Sequence, residues 1–143
     1  MDSKQAGSRK KRLKVVIADD STFMRKLIHK VLESTGLFEV VDEVDDGNKA
    51  ITSYEENKPD LIILDINMPF MDGLTAAMRI LEKDPQAKIV IVSAIGEQKL
   101  VAEKAKNLGI KAIIPKPFSP DKMIEALKKI LEVEEKHVEA PSY

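Results

Sequence analysis

The chain has no cysteine and no tryptophan, and aromatic residues make up only 4% of its 143 positions. Without cysteine there are no disulfides, no thiolate metal sites and no cysteine nucleophile. An excess of one charge is also missing: 23 Lys and Arg stand against 24 Asp and Glu, a formal net charge of −1. That balance argues against nucleic acid as the main partner of the whole chain. Apolar runs such as Leu61-Ile62-Ile63-Leu64 are short, whereas spanning a bilayer takes roughly 20 apolar residues. The charged start, through Lys14, is not followed by a signal-peptide core, because the next apolar run stops at Asp19-Asp20. A cytoplasmic protein without membrane insertion is the expectation. Neither Gly-x-Gly-x-x-Gly nor a Gly-Lys-Ser/Thr phosphate loop occurs, which disfavours nucleotide binding, and there is no helix-turn-helix pattern.

What is present reads as one globular domain of ordinary size, 43% hydrophobic and 33% charged. Aliphatic runs at 13–18, 61–64, 89–92 and 112–114, with a more polar run at 38–44, alternate with helical patterns. Phe23, Met24, Leu27, Ile28, Val31 and Leu32 recur at three- and four-residue spacing, as do Leu100, Val101, Ala105 and Leu108. Met24 and Met78 are core candidates on apolar helix faces. Ser119 is a good N-cap with Pro120 at the first helical position, and Gly36 and Gly109 fall where helices should end. Five strands alternating with five helices predict an α/β fold: a parallel sheet with helices on both faces. The domain is expected over 12–132. Residues 1–11, ending in Arg9-Lys10-Lys11, are read as a flexible basic tail and 133–143 as a flexible acidic one.

A strand buried on both faces ends at Asp65, and another ends at Asp19-Asp20. If these strands are neighbours, about 4.8 Å apart, three carboxylates crowd one rim of the sheet. Their repulsion is costly unless a cation is present, and oxygen-only ligands favour a hard ion such as Mg2+. Alone, Asp19-Asp20-Ser21 also fits a simple helix N-cap, and Asp65 or Lys116 alone also fits an ordinary surface residue. The fourth and fifth strands end in Ser93-Ala94 and Pro115-Lys116-Pro117. Three carboxylates, a hydroxyl and a lysine are the parts needed to hold a divalent ion and a phosphoryl group against a carboxylate nucleophile.

In order and spacing, Asp19-Asp20, Asp65 with Met68-Pro69 and Asp72-Gly73, Ser93-Ala94 and Lys116-Pro117-Phe118 resemble the receiver domains of two-component response regulators. The resemblance implies a flavodoxin-like sheet in the order 2-1-3-4-5. It implies that Asp65 accepts a phosphoryl group from a histidine kinase, and that Mg2+ is held by Asp20, Asp65 and the backbone carbonyl of Asn67, with Asp19 helping through water. Lys116 would pair with the phosphoryl oxygens, Ser93 would swing to hydrogen-bond them, and Lys116-Pro117 would be a cis peptide. Asn67 and Ile95 match positions that tune self-hydrolysis. Where the family pattern has an aromatic switch residue, this chain has Ile113. Pro115 lacks a backbone donor, which an edge strand tolerates.

Asp19-Asp20-Ser21-Thr22-Phe23-Met24-Arg25 and Ser93-Ala94-Ile95-Gly96-Glu97-Gln98 look most like the chemotaxis branch. The implied protein is a stand-alone, monomeric switch, not an enzyme on external substrates. It would be charged by a chemotaxis-type histidine kinase, read by a flagellar switch or other downstream protein, and served in some systems by a phosphatase. Alternatives are the receiver part of a DNA-binding or other output-domain regulator, and a phosphatase of the haloacid dehalogenase type. The latter wants a second acid two residues after the nucleophile, where this chain has Asn67. Lys99, Lys104, Lys106 and Lys111 form either a solvated helix face or a docking surface for an acidic, amphipathic partner. His29 and His137 are read as bystanders.

Overall fold

The computed structural model describes residues 12–94 and 98–139, with side chains defined at 12–94 and 101–130. Five strands, β1 (Leu13–Ala18), β2 (Phe38–Val44), β3 (Leu61–Asp65), β4 (Ile89–Ala94) and β5 (Ala112–Lys116), form one parallel sheet in the order β2-β1-β3-β4-β5. The helices are α1 (Thr22–Ser34), α2 (Gly47–Asn57), α3 (Gly73–Lys83), α4 (Gln98–Leu108) and α5 (Pro120–Glu139). Period-two alternation sorts the strand residues between two cores. Val16, Ala18, Ile62, Leu64, Ile89 and Ile91 pack against α2, α3 and α4; Val15, Ile17, Leu61, Ile63, Val90 and Val92 pack against α1 and α5. Because β1, β3 and β4 are covered on both faces, they read as unbroken aliphatic runs.

The capping expectations hold. Ser119 accepts from the Lys122 amide at 3.2 Å, and Gly36 and Gly109 follow α1 and α4 at φ 75° and 84°. Pro115 lies on β5, an outer strand of the sheet. Among the described residues no helix is long and apolar enough to cross a membrane.

Three expectations need correction. Phe23 and Met78 are not core residues: they are 74% and 38% exposed. The buried stripes of these helices run through Ile28, Val31 and Leu32 in α1 and through Gly73, Ala76, Ala77 and Ile80 in α3. At about 100° per residue both side chains fall outside them. The last helix also continues past 132 to Glu139. The segment Glu132 to Glu139 has no Gly or Pro, and its Glu and Lys residues favour helix, so nothing local stops it before Pro141.

Candidate functional site

β1 and β3 are adjacent and parallel, and the order in which strands are added to the sheet reverses between them, so their carboxyl ends open onto the switch point where doubly wound sheets bind ligands. Asp65 is the last residue of β3, and Asp19 and Asp20 follow β1 directly. Carboxylate oxygens of Asp19, Asp20 and Asp65 lie within 4.8 Å of one another. Asp19 and Asp65 are buried, whereas Asp20 faces solvent. Lys116, at the end of β5, reaches across and donates from Nζ to Asp65 Oδ1 at 2.9 Å and to Asp19 Oδ2 at 3.5 Å.

Burial is the largest influence on Asp65 and raises its pKa. The Lys116 hydrogen bond pulls it back, Asp19 pushes it up, and the net shift is upward. Lys116 is shifted the opposite way by burial, but its bond to Asp65 and the Asp19 charge outweigh that and hold it above the ordinary lysine range. Asp19 and Asp65 therefore share one ammonium, with the Asp20 carboxylate beside them. An all-oxygen donor set of this charge fits Mg2+, and Asp19, Asp20 and Asp65 are the side chains that could hold it.

Asp19 is fixed at every polar atom. Its amide donates to Val44 O at 3.0 Å, its Oδ1 accepts from the Ser21 amide at 2.9 Å, and its carbonyl accepts from Arg25 Nη1 at 2.6 Å. Arg25 in turn donates to Thr22 Oγ1 and pairs with Glu43 on β2, which also meets His29 Nδ1 at 2.6 Å. His29 is thus tied to the network that holds Asp19, a role its helical position did not reveal. Ser21 caps α1, accepting from the Met24 amide.

Sequence reading also missed the part played by Gly73. Asp72 caps α3 as expected, accepting from Thr75, but a Cβ on Gly73 would lie 2.0 Å from the Asp65 carbonyl oxygen. The start of α3 therefore presses on the backbone that carries Asp65. Gly47, at the start of α2, is as close to Met71, with 2.3 Å to its carbonyl oxygen.

Ser93 is fully buried in β4, beside Pro115 of β5 in the sheet register, and Ala94 is exposed. Its hydroxyl donates to Ala94 O at 3.2 Å. Asn67 lies exposed in the loop two residues after Asp65. The Lys116-Pro117 peptide is cis. Ile113 is half-buried against the α4-side core. Lys104 and Lys106 are exposed on α4, where Lys104 lines a hollow that also holds Asn67 and Asp72, and Ile95 lies outside the described residues.

With this geometry in place, the chain belongs to the response regulator receiver domain family, which it matches over residues 15–128. Within that family it is similar to the chemotaxis protein CheY of Listeria monocytogenes, 46% identical over 117 residues, covering 82% of this chain and 97% of that protein. It is also similar to CheY of Bacillus subtilis, 44% identical over 118 residues, with 82% and 97% covered. Among solved structures, CheY in the CheX-CheY-BeF3-Mg2+ complex of Borrelia burgdorferi aligns with a TM-score of 0.78 and 32% identity, covering 83% of this chain and 89% of that one.

Proposed function

We propose that this receiver is a phosphorylation-switched binding module of the chemotaxis type, acting in the cytoplasm. The observation that carries the reading is the 2.9 Å contact of Lys116 with a buried Asp65 flanked by Asp19 and Asp20. An Asp65 carboxylate oxygen attacks the phosphorus of a kinase phosphohistidine. A P–O bond forms, the P–N bond breaks, and the imidazole leaves with the bonding pair and takes up a proton. Lys116 gives up its direct bond to Asp65 to pair with the phosphoryl oxygens. The Ser93 hydroxyl turns from Ala94 O to donate to the same group. Asp20, Asp65 and the Asn67 carbonyl would hold Mg2+, with Asp19 helping through water, and the ion would offset charge on those oxygens when bound. Attack of water on the acyl phosphate resets the switch, so the chain turns over only its own phosphoryl group. Movement of Ser93 beside β5 shifts an inactive-to-active equilibrium felt by a downstream protein. That the CheY relatives work in chemotaxis supports a kinase and target of that pathway.

The test is intact mass after incubation with acetyl phosphate and Mg2+, beside Asp65→Asn and beside a chelated sample. One added phosphoryl group only in the wild type with metal is the expected result. Equal labelling of Asp65→Asn would reject Asp65 as the acceptor.

A further inference from the structure

Phe70 is held in a conformation that costs stability and yields no packing. The Met71 amide donates to the Pro69 carbonyl at 2.7 Å, closing a three-residue turn whose central residue, Phe70, has φ 67°. This is the positive-φ γ-turn, the rarer and more strained of the two kinds, and a bulky side chain at positive φ is a genuine outlier. The ring is 87% exposed. Four Phe occur in the whole chain, and with Phe23 at 74% exposed two of them lie in water. Both follow strands, β1 and β3, that are neighbours in the sheet, so both stand at the rim that carries Asp20 and Asp65.

The backbone on the far side of the turn is held in place: the Gly73 amide donates to Ile66 O at 2.8 Å, and Gly47 of α2 packs closely against Met71. A rigidly presented aromatic side chain loses little entropy on binding, and aromatic residues are enriched among interface anchors. Its place selects the partner. A phosphoryl donor must bring phosphorus to within about 3.5 Å of the Asp65 carboxylate, so its surface covers the loop that starts one residue later. A downstream protein that reads the switch at a distance has no such requirement, and a phosphatase that shares it would leave transfer from the protein donor undiminished when the ring is removed.

We propose, building on the phosphoacceptor reading, that Phe70 is the anchor that docks the phosphohistidine-bearing domain charging Asp65. The experiment compares two donors on the full chain: acetyl phosphate with Mg2+, and the phosphohistidine domain of a chemotaxis kinase phosphorylated beforehand. Phe70→Asn suits positive φ and removes the ring; Phe70→Tyr keeps it. Expected for Phe70→Asn is an unchanged rate with acetyl phosphate and a roughly tenfold or greater loss of transfer from the protein donor, restored in Phe70→Tyr. Three results overturn the proposal. One is undiminished transfer from the protein donor, which leaves the ring to some other partner. Another is an equal loss with both donors, which makes Phe70 part of the loop's chemistry. The third is no rescue by Tyr. A wild type that labels with neither donor fails at the phosphoacceptor reading itself, and this proposal falls with it.

Discussion

Asp65 carries a cost that the apo protein only partly offsets. Burial and the neighbouring Asp19 and Asp20 disfavour its charged form, and it shares the Lys116 ammonium with Asp19. Its folded pKa lies above the ordinary value of 3.8, so the native state binds that proton more tightly than the unfolded chain does. The charged carboxylate is therefore a destabilising term. It is absent below the unfolded value, where both states are protonated, and grows as pH rises through the folded value. Lys116 has the opposite sense: its raised pKa contributes stability that is fully present below 10.5 and is lost as pH rises beyond its folded value. Asp65→Asn is expected to stabilise the metal-free protein at pH 7 by on the order of 1 kcal/mol, roughly 3 °C in melting temperature. The gain should shrink as pH falls towards 4, and melts of both proteins at the two pH values check it. A variant less stable than wild type at pH 7 would mean that the Lys116 contact outweighs the burial term. Asp65, Ser93 and Lys116 were legible in the sequence because each polar residue ends an aliphatic run. Arg25 and His29 were not: Arg25 reaches back from the first helix to the Asp19 carbonyl, His29 joins it only through Glu43 on β2, 14 residues away, and no local pattern encodes those pairings.

At the scale of elements, the Asp65 carboxylate is aimed by how closely helices approach the strand ends. Asp72-Gly73 was legible as a turn and helix start from its cap chemistry. That this helix start sits against the Asp65 backbone was not, because the contact depends on how α3 packs. A Cβ on Gly73 would come 2.0 Å from the Asp65 carbonyl oxygen, and backbone cannot yield as a flexible side-chain tip would. Gly73→Ala should therefore displace β3 or α3, cost about 2–4 kcal/mol as overpacking at a rigid site, and slow phosphorylation of Asp65 in the fraction that folds. Chemical denaturation together with acetyl phosphate labelling reads both effects. Full stability in this variant would show that the loop can open without moving the acceptor. The same limit explains Phe23 and Met78: a three-and-four repeat reveals that a helix has an apolar stripe, but its width is set by the surface it meets. The strand runs were read nearly to their ends because doubly covered strands leave an unbroken aliphatic signature.

Across the whole molecule, the sheet order sets Asp65 and the face formed by α4, β5 and α5 on the two sides of Ser93. That hydroxyl lies in β4 next to Pro115 of β5, so under the proposed switch a movement of Ser93 would be felt by the outer strand. A groove of about 710 Å³ runs along β5 and α5, with Ile113, Ile114 and Phe118 among its apolar walls and Lys111, Lys122 and Lys129 along its sides. α4 packs beside β5 and presents Lys104 and Lys106 to solvent. Apolar walls rimmed by lysine suit an acidic, amphipathic helix, with the charges steering encounter more than they deepen binding. Lys104→Glu combined with Lys106→Glu is expected to weaken binding of the phosphorylated protein to such a target by roughly tenfold at low salt, mainly through a slower on-rate. The effect should fade as ionic strength shortens the screening length. Labelling of Asp65 by acetyl phosphate should be unaffected, since neither lysine touches the acidic cluster. Association kinetics at two salt concentrations test this: if the double variant binds as fast as the wild type in low salt, the lysines are a solvated face and recognition rests on the groove alone.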